Sequence, residues 1–150
     1  MSDDFPISEL RREDYPTWKN LYADYAKVWD EPMTEDGLAG VWACFDEQKH
    51  QAYGLGLRNG EALIGFAHYM LYPCTQSTKM ICYVQDLYVL PDYRGRGLGK
   101  KVIQYIAEIG RTKNWRKIHW ETRETNKEAQ RSYDKIASRE SGWVHYKLEL

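Results

Sequence analysis

Tyr83-Val84-Gln85-Asp86-Leu87-Tyr88-Val89-Leu90-Pro91-Asp92-Tyr93-Arg94-Gly95-Arg96-Gly97-Leu98-Gly99-Lys100-Lys101 is the stretch on which the fold is decided. Its first part is aromatic and β-branched, as strands are, and Pro91 ends the strand because it has no N–H to give a sheet ladder. Glycines at alternate positions, Gly95, Gly97 and Gly99, then lead into an amphipathic helical pattern. Such a backbone curls tightly and leaves no Cβ between its N–H groups and a visitor. The first N–H groups of a helix lack partners and stand at the positive end of its dipole, so the expected visitor is a phosphate or pyrophosphate. Arg94 and Arg96 add charge and can grip phosphate oxygens through paired hydrogen bonds. A P-loop would need Gly-Lys-Ser/Thr at its end, but Lys100-Lys101 follows Gly99. A Rossmann fingerprint would need its third glycine one residue later and a place near the start of a βαβ unit.

Arg94-Gly95-Arg96-Gly97-Leu98-Gly99 resembles the acetyl-CoA signature of the GNAT N-acetyltransferase superfamily, Arg/Gln-x-x-Gly-x-Gly/Ala after a central strand. Asn126-Lys127-Glu128-Ala129-Gln130-Arg131-Ser132-Tyr133 is similar to the family's second signature at Asn126, Ala129 and Tyr133. A glycine-rich turn also arises for packing alone; the second motif, in the right order beyond a helix and a strand, favours the CoA site. The resemblance is close over the C-terminal half and holds in outline over the N-terminal half. It implies an α+β GNAT fold, acetyl-CoA as acyl donor, no metal, and a homodimer. By the same resemblance, residues 94–99 with Lys100 cradle the pyrophosphate, and the backbone of Leu87, Tyr88 and Val89 holds the pantetheine arm. Asn126 and Ala129 complete the donor site, and Tyr133 lies near the sulfur as the acid for the departing thiolate.

The segments Tyr83–Val89 and Ser138-Arg139-Glu140-Ser141-Gly142-Trp143 look most like the spermidine/spermine, thialysine and yeast histone/D-amino-acid branch. The implied reaction is acetylation of the primary amine of a small cationic or amino-acid-like molecule. Polyamine enzymes carry a glutamate where this chain has Gln85, and an amide cannot take a proton, so the base is sought among Asp86, Glu121, His68 and a water chain. Trp29, Glu31, His68, Gln85 and Trp143 are the candidate acceptor-binding residues, with Trp29 and Trp42 as possible cation–π walls. From Asp24 to Glu47 acids outnumber Lys27, the single base, which would concentrate a cationic amine. Two rival readings stay open: a protein or peptide acetyltransferase with an open groove, and a CoA-binding sensor without turnover.

Totals bound these readings. A chain of 150 residues suits one domain, here taken as 1–150. A net charge of -1 supplies no global field for nucleic acid or a membrane surface. Cys44, Cys74 and Cys82 fall at no metal-ligand spacing and read as reduced thiols, with Cys82 a core residue. The acidic N-terminus lacks a signal-peptide pattern, and no apolar run approaches a bilayer span, so a cytoplasmic location is expected.

Hydrophobic spacing predicts a strand at 5–10 and a helix over 11–29 with Trp18, Leu21, Tyr22, Tyr25 and Val28 inward and Asp14 as N-cap. A weak second helix follows over 34–45, capped by Thr34. A hairpin joins 51–58 to 61–72 through a type I′ turn at Asn59-Gly60, and 79–90 returns as the central strand. Beyond the glycine turn come a helix at 99–111, a strand at 116–122, a helix at 126–136 and a closing strand at 143–150. The resemblance to the GNAT superfamily implies that the two parallel strands splay at their C-terminal ends, and ligands favour that kind of crevice.

Overall fold

The computed structural model describes residues 4–29, 32–47 and 49–150. Its sheet has five strands in sequential order: β1 (Ile7–Glu9), β2 (Ala52–Asn59), β3 (Ala62–Pro73), β4 (Met80–Val89) and β5 (Lys117–Trp120). The pairs β1–β2, β2–β3 and β3–β4 are antiparallel, and β4–β5 is parallel across a helical crossover. This is the meander followed by βαβ that the sequence predicts. The turn chemistry differs in one respect. Asn59 pairs with Ala62, so Gly60 and Glu61 form the loop, and of these only Gly60 takes a positive φ, 59°. A type I′ turn needs positive φ at both central residues, and glutamate resists it.

The register of β3 and β4 contains a bulge. His68 pairs with Asp86 but Tyr69 pairs with Val84, which leaves Gln85 without a partner on β3. Because strand side chains alternate, one extra residue moves everything after it to the opposite face. Cys82 and Val84 pack toward helix α3 (Leu98–Lys113), while Asp86 and Tyr88 turn toward helix α1 (Tyr15–Ala26). Leu87 is thereby placed on the α3 side.

Each sheet face carries its own core. On one, Val102, Ile103 and Ile106 of α3 meet Leu55, Tyr69 and Cys82. Cys82 has no exposure, and burial pushes its thiol up to about 12, which keeps it protonated. On the other, Trp18 and Leu21 of α1 meet Leu63 and Phe66. Val28 is 50% exposed rather than inward, because α1 ends at Ala26 and a 3-10 turn carries Val28 off its stripe. Helix α2 (Glu35–Asp46) starts as expected, with the Thr34 hydroxyl accepting from Gly37 N–H at 3.0 Å. Helix α4 (Lys127–Tyr133) follows β5. No helix among the described residues is long and apolar enough to cross a membrane.

Asp14 stands at the N-cap position of α1 but does not cap that helix. Its carboxylate takes two bonds from the Arg58 guanidinium, at 2.8 and 2.7 Å, and one from the Arg11 N–H at 2.7 Å. Both side chains of this pair are only 8% exposed.

Residues 143–150 form no strand, contrary to expectation. A strand exists only through a neighbour's ladder, and this chain offers the segment none: β5, the sheet's last strand, pairs with β4 alone. Trp143, Val144, Tyr146 and Leu148 are 77%, 76%, 92% and 84% exposed.

Candidate active site

Pairing between β4 and β5 ends at Val84 with Trp120, yet β4 continues to Val89. From Gln85 onward its β5-side edge therefore faces a gap, and this gap is the crevice expected from two splayed parallel strands. One wall is the glycine turn. Gly95 and Gly97 take φ of 77° and 73°, conformations in which a side chain is strained. A Cβ on Gly97 would come no closer than 4.0 Å to another atom, so the space in front of it is open. The Leu98, Gly99 and Lys100 N–H groups of α3 have no intrahelical partner; the ladder begins with Lys101 N–H donating to Gly97 O at 3.0 Å. An open surface of free N–H groups at a helix N-terminus, with Arg94, Arg96 and Lys100 around it, fits a pyrophosphate. Arg94 is anchored by its Nε–H donating to Val89 O at 2.8 Å and lies over the Tyr88 ring; Arg96 lies over Phe5 and Tyr93.

Tyr133 reaches the same gap. A Cβ built on Gly99 would lie 3.2 Å from the Tyr133 hydroxyl and 3.4 Å from Leu87 Cδ2, so Gly99 is the residue that lets α4 approach α3 and β4. The Tyr133 ring also meets Trp120 edge to face at 5.4 Å. Burial pushes its phenol up, which keeps it protonated and able to donate. Asn126 caps α4, its side-chain oxygen accepting from Ala129 N–H at 3.2 Å, so the second signature acts locally by fixing the helix that carries Tyr133.

On the other face of β4 lies a buried polar network. The Trp18 Nε1–H donates to His68 Nε2 at 3.0 Å, His68 Nδ1 faces Asp86 Oδ2 at 2.9 Å, and the Tyr25 hydroxyl donates to Asp86 Oδ1 at 2.9 Å. Burial drives the His68 ring toward its neutral form, opposed only by its bond to Asp86 and that charge. Burial and the Asp86 charge push Tyr22 up to about 12, and the same two causes raise Tyr25 further. Burial, then the charges of Glu121 and Asp86, raise Tyr83, whose ring stacks on His119 at 4.9 Å. Arg123, just past β5, donates to Val28 O at 3.1 Å and ties the end of α1 to this side of the gap.

Of the candidate acceptor residues, Gln85 is exposed on the bulge and Glu121 is exposed at the end of β5. His68 is fully buried with both nitrogens engaged, so it neither touches an acceptor nor serves as base. Trp143 sits on the unpaired tail, outside the cleft of its own chain. Glu31 and the side chain of Trp29 lie outside the described residues. Trp42 packs on Tyr15 and Trp18, in the core. The acidic surplus is partly neutralised: Asp24 pairs with Lys27, Glu35 with Lys19 and Asp46 with Arg12. Sequence reading missed Trp18 and Tyr25 as polar partners. A hairpin folded about the loop 74–79 pairs His68 with Asp86, and the Trp18-Tyr22-Tyr25 stripe of α1 is the element that could cover them.

Residues 7–137 match the acetyltransferase (GNAT) family, and the chain belongs to it. Among characterised relatives, it is similar to the D-amino-acid N-acetyltransferase HPA3 of Saccharomyces cerevisiae, 25% identical over 140 residues that cover 91% of this chain and 86% of the relative. It is also similar to the thialysine N-epsilon-acetyltransferase of Sus scrofa, 27% identical over 133 residues, 85% of this chain and 76% of that one. The crystal structure of a ribosomal-protein-alanine N-acetyltransferase from Brucella melitensis biovar Abortus 2308 superposes with a TM-score of 0.82 at 24% identity, covering 98% of this chain and 100% of that one, a likeness of fold.

Proposed function

We propose that this acetyltransferase moves the acetyl group of acetyl-CoA to the primary amine of a small cationic or amino-acid-like molecule. The observation that carries the reading is the bulge at Gln85. Because Gln85 stands out of the ladder, Asp86 faces the α1 network and Leu87 lies beside the glycine turn and the Tyr133 hydroxyl; a ladder that took Gln85 in would reverse the two. Donor and acceptor then approach one strand from two sides and meet at its open edge.

In this reading the turn 94–99 and Lys100 hold the pyrophosphate, and the free edge at Leu87–Val89 binds the pantetheine arm and polarises the thioester carbonyl. Asp86 holds the acceptor's positive charge, and Glu121 draws one proton from the ammonium into solvent. The amine nitrogen bonds to the carbonyl carbon, the C–S bond breaks, Tyr133 gives its phenolic proton to the sulfur, and the second amine proton restores the phenol. Tyr133→Phe is expected to lower kcat by roughly a hundredfold, the scale of a lost general acid, while acetyl-CoA affinity changes little. An unchanged kcat removes Tyr133 from the mechanism. Thiol release measured across a panel of free amines, with lysine peptides in competition, tests the acceptor class; preference for peptides points instead to a protein acetyltransferase. A reduced, cytoplasmic setting suits the free thiols of Cys44, Cys74 and Cys82.

The assembly we propose is a homodimer in which the tail of each copy pairs with the open edge of β5 in the other. The same chain supplies an unpaired edge and a segment without a sheet whose large apolar side chains are exposed, and Glu140 bonded to Lys117 at 3.4 Å holds the segment's root beside β5. Deletion of residues 143–150 is expected to convert a dimer to a monomer by light scattering. A full-length chain that is already monomeric at micromolar concentration refutes the exchange.

A further inference from the structure

We propose that Trp18 and His68 are positioning residues that lock Asp86 as a fixed anion toward the acceptor amine, so that Asp86 binds charge while the proton leaves elsewhere. This rests on the amine-acetylation reading and specifies the group that holds the acceptor.

An indole N–H can only donate. Its 3.0 Å bond to Nε2 makes that nitrogen an acceptor and puts the ring proton of neutral His68 on Nδ1, where it is donated to Asp86 Oδ2 at 2.9 Å. The other carboxylate oxygen accepts from Tyr25. For Oδ2 to take a proton, Nδ1 would have to accept it, the ring hydrogen would move to Nε2, and two N–H groups would meet head on. A doubly protonated ring meets the same obstacle.

The ring cannot swing clear. It is stacked on Phe45 at 3.9 Å and 19°, and on Phe66 at 4.7 Å and 23°, with no exposure. Gly54 pairs with His68 across β2 and β3, and a Cβ there would lie 2.7 Å from Leu10 Cδ1 and 3.4 Å from the Phe45 side chain. Glycine at this position is what lets Phe45 close over the imidazole. The titratable groups around the ring are Asp86 from β4 and Tyr22 and Tyr25 from α1; β3 and α2 present phenylalanines and β2 presents glycine. Both tyrosines stay protonated at neutral pH. Asp86 is therefore the one formal charge in the network, and its side chain keeps 11% exposure through which an ammonium can reach it.

The test reads the ring directly, by NMR of the full chain carrying isotope-labelled histidine. Wild-type His68 is expected as the Nδ1–H tautomer, without titration between about pH 5 and 8. Trp18→Phe preserves an aromatic ring against Tyr22 and Phe66 but removes the N–H. His68 then takes a second proton in that range, its charge cancels Asp86, and KM for a cationic amine rises roughly tenfold at the acid end while KM for acetyl-CoA is steady. His68→Asn can keep an N–H donor toward Asp86 and is expected to hold KM within about twofold, whereas His68→Leu loses it. A wild-type ring that titrates in this range, or that carries its proton on Nε2, overturns the lock. So does a folded Trp18→Phe protein whose ring and KM profile match wild type. If Trp18→Phe does not fold, equal KM in the Asn and Leu variants refutes the proposal. If wild type acetylates no amine, the tautomer measurement still decides the lock separately from the acetylation reading.

Discussion

Gly97→Val is expected to weaken acetyl-CoA binding by roughly two orders of magnitude, about 3 kcal/mol, measured by calorimetry on folded protein. Two effects act together. Gly97 sits at the N-cap of α3 with φ of 73°, a left-handed conformation that costs a β-branched residue about 1–2 kcal/mol. The strain is relieved by turning the peptide, which misdirects the N–H groups at the start of the helix. The second effect is occupation of the open space in front of the turn by two methyl groups. Heat of binding equal to wild type from a folded variant would mean that the phosphate site lies elsewhere. Loss of binding with a thermal midpoint lowered only by the strain would place the effect at the turn.

Asp14→Ala is expected to destabilise the fold by about 3–5 kcal/mol, read as a lowered denaturant midpoint at unchanged m, because it strands the Arg58 guanidinium in a buried place. Replacing Arg58 by Met in the same chain should recover part of that loss, since it removes the unpaired charge. Strictly additive losses would show that the two groups do not act as a pair. The pH dependence follows the same contact. Burial raises the Asp14 carboxyl, but the Arg58 hydrogen bonds, the Arg11 N–H and the guanidinium charge outweigh it and hold the group below its ordinary value. The unfolded chain therefore binds this proton more readily than the folded one. Stability from Asp14 is complete above the unfolded value, about pH 4, and is lost as pH falls through the lower folded value.

Where the sequence was legible, periodicity and special backbone chemistry left a local signature. The glycine turn announced itself because alternate glycines before a helix answer to few needs, and the central meander followed from strand composition and an Asn-Gly step. Tyr133 was singled out by the resemblance of Asn126, Ala129 and Tyr133 to the family's second signature, and the structure sets its hydroxyl beside Gly99. Partnerships across the fold left no such mark. Asp14 reads as a helix cap because a cap is written within a few residues, whereas Arg58 becomes its partner only when β2 folds against the start of α1. His68 reads as a polar residue free to meet a ligand, and only the packing of α1 and the pairing of β3 with β4 show both of its nitrogens taken. The segment 143–150 alternates like a strand, but alternation does not supply the neighbour that a ladder requires.

The unpaired residue in β4 is accommodated only as a bulge, because an unbroken ladder that took it in would exchange the faces of Asp86 and Leu87. Gln85 accepts no bond that defines it, so many side chains would serve at that position; what the extra residue supplies is a kink between Val84 and Asp86, at the point where β4 parts from β5. A single codon lost there would make Val84 and Asp86 neighbours in an unbroken ladder, each still on its own face by ordinary alternation, and would straighten the strand at the mouth of the gap. Such a loss is expected to reach the chemistry through the width of the opening, with the partners of the carboxylate in α1 unchanged.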